Sequence, residues 1–137
     1  MSGFIDTNVL VRLLTQDDRD KSERCSELFR RANRGAVELA TSEAVLAETV
    51  FVLSSPRLYA MSREAIALLL GSLLAGSRLV LDHKNAVLSA LELYGRTDLH
   101  FVDCLAVAHA HRAEAPHTVY SYDRELDDVP GIQRREP

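Results

Sequence analysis

Apolar residues recur along this chain in two rhythms, one of period two and one close to 3.6, and the switches between them outline the elements. The run Gly3-Phe4-Ile5 reaches Asp6, after which Val9, Leu10, Leu13 and Leu14 repeat as one helix face, predicting a buried strand that ends in a carboxylate and turns at once into a helix. A polar turn over residues 16–21 places acids where the next helix starts. That helix runs to about Asn33, with Cys25, Leu28, Phe29 and Ala32 on one face and Arg30, Arg31 and Arg34 at its end, where cations suit the dipole. Residues 36–41 alternate as a short strand, and Thr41 or Ser42 can cap a helix over 43–53 bearing Val45, Leu46, Thr49, Val52 and Leu53.

Ser62 caps a further helix through Leu74, residues 78–82 read as a third strand with Asp82 as a cap, and a helix follows over 84–94 with Val87, Leu88, Leu91 and Tyr94. The helix from Leu99 to about Arg112 is apolar on nearly every side. Residues 118–123 alternate as a strand ending in Asp123, and a loop leads to an edge strand at Ile132. Strands alternating with helices are the mark of an α/β fold.

At 137 residues and 47% apolar composition the chain fits one domain, residues 1–137, with a core that needs no disulfide. Its formal charge of −4 is not that of a protein holding nucleic acid by charge alone, so a phosphate substrate would need a metal or a local basic patch. Cys25 and Cys104 match no zinc or redox spacing and read as buried thiols of a cytoplasmic protein. No signal peptide is expected, and the most apolar helix, interrupted by Gly71 and Ser72, is too short to span a bilayer. These features predict a soluble protein with no membrane partner.

The candidate chemistry is acidic. Asp6 taken alone reads as an N-cap, but the carboxyl ends of strands in open α/β sheets face the ligand crevice, and three more acids stand in comparable settings. Glu48 lies at the margin of an apolar stripe, as a half-buried carboxylate wanting a partner or an exposed one at the stripe's edge. Asp103 sits among Phe101, Val102, Cys104, Leu105, Ala106 and Val107, where an unpaired carboxylate is poorly tolerated. Asp123 repeats the layout of Ile5-Asp6. Oxygen ligands of this kind suit Mg²⁺ or Mn²⁺, which can activate water for phosphodiester hydrolysis. The five histidines have no metal-ligand spacing and read as surface or core residues.

Laid out in order, Phe4-Ile5-Asp6-Thr7-Asn8, Ala47-Glu48, Phe101-Val102-Asp103-Cys104-Leu105-Ala106 and Tyr120-Ser121-Tyr122-Asp123-Arg124 resemble the motifs of the PIN-domain ribonucleases, and among them the compact VapC-like toxins of bacterial VapBC pairs. The resemblance implies a three-layer α/β/α fold with a central, mainly parallel sheet, and a metal-dependent endoribonuclease. It assigns Asp6, Glu48, Asp103 and Asp123 to catalysis and metal binding, with Thr7, Asn8 and Ser121 in support. It further implies an RNA substrate, transfer or ribosomal RNA, a homodimer, and a cognate antitoxin whose tail covers the site. Where members often carry an aspartate before the aromatic of the third motif, this chain has His100; Asp98 is the candidate for part of that contribution.

Two other readings belong to different classes. A haloacid-dehalogenase-like phosphatase also opens on a strand and an aspartate, but needs a second aspartate where Asn8 stands. A non-catalytic PIN-like interaction module would keep the fold without turnover, against which the intact acidic quartet argues.

Overall fold

The computed structural model describes residues 1–137. In chain order the elements are β1 Ser2–Phe4, α1 Thr7–Leu14, α2 Arg19–Asn33, β2 Glu38–Ala40, α3 Glu43–Ser54, α4 Arg63–Gly76, α5 Lys84–Arg96, α6 Phe101–Arg112, β3 Thr118–Tyr120, a short 3-10 helix Arg124–Asp128, and β4 Gln133–Arg135. Helix starts follow from local capping chemistry. Asp6, Asp18, Ser42 and Ser62 each accept a hydrogen bond from a backbone N–H of the turn they precede.

Every strand pairing is parallel, β1 with β2 and β3 with β4, so the expected sheet is present as two parallel pairs. The third strand expected over 78–82 is reduced to one bridge between Ala40 and Val80. The Arg78 N–H, which would extend the ladder, donates to Asn33 Oδ1 at 3.0 Å instead, while the Lys84 ammonium takes the carbonyls of Ser77 and Leu79 at 3.2 and 3.0 Å. The chain then turns through His83, whose φ of 54° is left-handed. His83, not Asp82, holds the N-cap position of α5, without a side-chain bond, which corrects the cap expected of Asp82.

A cluster of 27 buried residues forms the core, drawn from all six helices except their solvent faces. It includes Leu10 on α1, Phe29 on α2, Leu46 and Leu53 on α3, Ile66, Leu70 and Leu74 on α4, Val87 and Leu91 on α5, and Phe101 and Leu105 on α6. Two expectations of burial fail. Val102 on α6 is 64% exposed, so that helix has an open side after all, and Cys25 is only half buried. Cys104 is fully buried, and burial pushes its thiol up to about 11. No helix is long and apolar enough to cross a membrane.

Helices α4 and α5 pack as a hairpin, and Gly95 sits at their closest approach: a Cβ there would stand 2.8 Å from the Ala67 Cβ. Gly71, also within α4, faces open space. Gly95→Ala should therefore destabilise the fold by about 1–3 kcal/mol through overpacking. Gly71→Ala should stabilise it by about 0.5–1 kcal/mol through helix propensity. Urea unfolding of both variants checks the pair, and equal effects would mean that the α4–α5 contact is looser than described.

Candidate metal centre

The first strand delivers Asp6 to a clamped position. The Ile5 N–H donates to the Ala40 carbonyl at 2.7 Å, and the Thr41 hydroxyl donates to the Ile5 carbonyl at 3.0 Å. Asp6 follows in extended conformation, exposed, with Oδ1 accepting from the Thr7 N–H at 2.7 Å while Oδ2 makes no hydrogen bond. Capping and ligation are thus compatible at Asp6, because the cap occupies one oxygen. Thr7 is half-buried and Asn8 exposed in the helical turn that Asp6 caps.

Strand β3 ends similarly. The Ser121 N–H extends its ladder by donating to the Arg135 carbonyl, the Ser121 hydroxyl oxygen accepts from the Asp123 N–H at 3.0 Å, and Asp123 Oδ1 accepts from the Glu125 N–H at 3.0 Å. Asp123 is half-buried. Arg134, absent from the sequence-based candidates, holds this turn in place. Its guanidinium donates to the Ser121 carbonyl at 2.9 Å and to Asp127 at 2.7 Å, which keeps the Asp127 carboxyl below its ordinary value.

Asp103 occupies the first turn of α6, half-buried between Phe101 and the fully buried Cys104. Burial first, and the charge of Asp123 second, raise its carboxyl above the ordinary value, while His100 pulls it back. Asp103 and Asp123 are therefore within electrostatic reach of each other. His100, in the position where an acid was the expectation, is the nearest offsetting charge. Asp98 is exposed in the turn before α6 and makes no side-chain hydrogen bond; the cap-like bond there comes from Thr97, whose hydroxyl accepts from the Leu99 N–H.

Glu48 is exposed on α3, which decides between its two readings: it is not half-buried. The four elements nonetheless touch in sequence, α3 packing on α1 and on α6, and α6 on β3. A bond between His109 Nε2 and Glu43, at 2.8 and 3.0 Å to the two oxygens, ties the end of α6 to the start of α3. Asp103 feels the charge of Asp123, and no group of three or more acidic, histidine or cysteine residues stands close enough to hold one ion in this arrangement.

The donor chemistry fits a hard divalent cation. All four candidates are carboxylates, none of them forms an ion pair with a lysine or arginine, and Asp103, one of the two half-buried ones, has a proton affinity raised by burial and by the charge of Asp123. Arg63 and Arg134 fix the backbone near Asp103 and Asp123 by binding distant carbonyls, a role that leaves no periodic signal in the sequence.

The family model described as PIN domain matches residues 3–132 of the chain. No curated protein matches it.

A folded-state value raised above 3.8 means that the Asp103 carboxyl contributes stability below that value and loses it as pH climbs through the shifted one. In metal-free protein, Asp103→Asn should therefore melt roughly 1–4 °C higher than wild type at pH 7, with the gain shrinking toward pH 4. Thermal melts in EDTA across that range check the sign. A lower melting temperature at pH 7 would make Asp103 a structural residue.

Proposed function

The chain belongs to the PIN-domain family, with the family's α/β/α nuclease fold, and on that premise we propose that it is a metal-dependent endoribonuclease, the toxin of a VapBC-type toxin–antitoxin pair. The observation that carries the reading is the half-buried Asp103, unpaired and opposed by Asp123, at the start of a helix whose next residue is fully buried. A cation beside such a pair would relieve the desolvation and the repulsion of like charges.

In this reading Asp6, Glu48, Asp103 and Asp123 hold Mg²⁺ or Mn²⁺. When bound, the ion supplies an activated water and neutralises charge on the phosphodiester being cut. The chain's own residues set the geometry. Asp6 offers the oxygen that its cap leaves free, and Asp123 is fixed by Ser121 and, through the Ser121 carbonyl, by Arg134. Thr7 and Asn8 stand in the first turn of α1 to orient the RNA strand or ordered water, and Asp98 adds negative charge at the rim. The exposed Glu48 closes the site from α3, and gathering it toward Asp103 is part of ion binding.

Residues 1–137 act as one nuclease domain, cytoplasmic, on a structured RNA such as transfer or ribosomal RNA. Phe51 and Val102, 65% and 64% exposed, flank a groove of about 430 Å³ between α3 and α6. Apolar side chains in such a setting support a homodimer, with the antitoxin as a second partner. Asn8 stands where a phosphatase of the haloacid-dehalogenase type needs its second aspartate, so nothing favours that alternative.

Purified protein should cut a total-RNA pool in Mg²⁺ or Mn²⁺ and not in EDTA. Asp103→Asn should lose about 100-fold or more of that activity while keeping its circular dichroism spectrum, because an amide is a poor ligand for a hard cation. Full activity in the variant would refute the assignment of the site.

A further inference from the structure

One cavity gathers cations from two helices. A space of about 370 Å³ between α1 and α2 is lined by Asn8, Val9, Arg12, Lys21, Arg24 and Cys25: three cations, one amide and no carboxylate, in a chain whose net charge is −4. It opens from the turn that Asp6 caps. Asn8 lies two residues beyond Asp6, and Arg12 is one helical turn further, about 6 Å along the axis. Lys21, Arg24 and Cys25 face it from one side of α2, at the i, i+3 and i+4 spacing.

The cations differ in how they are held. Arg12 is fixed by Asp17 at 3.0 Å through Nη1, and Asp17 is fixed in turn by the Tyr59 hydroxyl at 2.6 Å and the Thr15 hydroxyl at 2.9 Å. That network holds the Asp17 carboxyl down at about 2, so Arg12 stays oriented across the neutral range. Its Nε and Nη2 make no hydrogen bond and remain available to an oxyanion. Lys21 and Arg24 meet Asp18 and Asp20 at 3.9 and 3.4 Å, loose pairs on side chains 62% and 80% exposed. Exposed pairs of this kind are worth little, and they exchange readily for a phosphate.

We propose that this pocket is a backbone-phosphate subsite that seats the RNA strand beside the acidic centre, Arg12 as the fixed anchor and Lys21 and Arg24 as mobile contacts. The proposal rests on the endoribonuclease reading for its substrate, and it explains how an acidic protein holds a polyanion: Arg12, Lys21 and Arg24 line one cavity on the helix that Asp6 caps. A pocket of this size takes a phosphate with its sugar but not a duplex. The phosphate contacts position the strand and carry no base preference.

The test joins kinetics to a footprint. Lys21→Gln/Arg24→Gln, which leaves the Arg12–Asp17–Tyr59 network intact, should raise the KM for RNA roughly 5- to 20-fold with kcat unchanged, and should flatten the log–log salt dependence of binding by about 0.7–1.4. Arg57→Gln/Arg96→Gln, with the same charge loss away from the pocket, should change neither. Cys25 supplies the footprint, since it is half-exposed in the pocket wall while Cys104 is buried. A single-stranded oligoribonucleotide in EDTA should slow alkylation of Cys25 by iodoacetamide, read by mass spectrometry. Inorganic phosphate at the same phosphoryl concentration should not. Wild-type KM and salt slope in the pocket variant, with Cys25 unprotected and RNA still cut, would overturn the subsite and leave the nuclease standing. Equal protection by inorganic phosphate would overturn the strand assignment. Protection by RNA in a protein that cuts nothing with any metal would sink the nuclease and keep the pocket as an RNA-binding site.

Discussion

Arg63 holds the turn from which Asp103, the most telling of the proposed site's carboxylates, is presented. Its Nε donates to the Tyr94 carbonyl at 3.0 Å, its Nη2 donates to the Leu99 carbonyl, and its guanidinium lies 3.8 Å above the Tyr94 ring. Tyr94 in turn meets Phe101 edge-on at 5.8 Å. One side chain of α4 therefore ties the end of α5 to the start of α6, and with it the direction in which Asp103 leaves the helix. Two charge-assisted bonds to carbonyls and a cation–π contact are each worth about 1 kcal/mol or more, enough to hold a turn that the backbone leaves open.

From that fixed point the acidic residues divide by function. Asp17, Asp127, Glu27 and Glu43 are all bonded to a cationic or histidine partner and serve the fold. Asp6, Glu48, Asp103 and Asp123 have no such partner, although Asp6 and Asp123 each use one oxygen to cap a following turn. Fold and site share residues here: the bonds that place Asp6 and Asp123 at strand ends leave one oxygen of each outside the cap. Among the candidates, Asp103 carries the raised carboxyl, from burial first and the charge of Asp123 second.

The helices were legible in the sequence because their caps are local. Ser42 and Ser62 each bond a backbone N–H three residues on, so residue type and spacing suffice. The strand over 78–82 was not, because the Arg78 N–H that would extend it is taken by the Asn33 side chain, a contact distant in sequence that a pattern of apolar residues does not reveal. The apolar stripe of α3 leaves Glu48 open between half-buried and exposed, and the packing decides it: Leu46, Thr49, Val50 and Leu53 are buried and Glu48 is left in water. Asp103 stood out because its neighbours are apolar, whereas Arg63 and Arg134 act on carbonyls distant in sequence or on a turn and carried no such sign. The pocket between α1 and α2 was equally hidden, since Arg12, Lys21 and Arg24 alternate with aspartates along the chain and only the packing of α2 on α1 brings the three cations to one cavity wall.

Calorimetric titration of Mn²⁺ into the metal-free protein reads the central claim directly, without needing the RNA target or the antitoxin. Asp6, Glu48, Asp103 and Asp123 acting as one centre predict saturable binding in the wild type that disappears in Asp103→Asn and weakens in Glu48→Gln. Binding that is absent in the wild type, or unchanged in both variants, would contradict it.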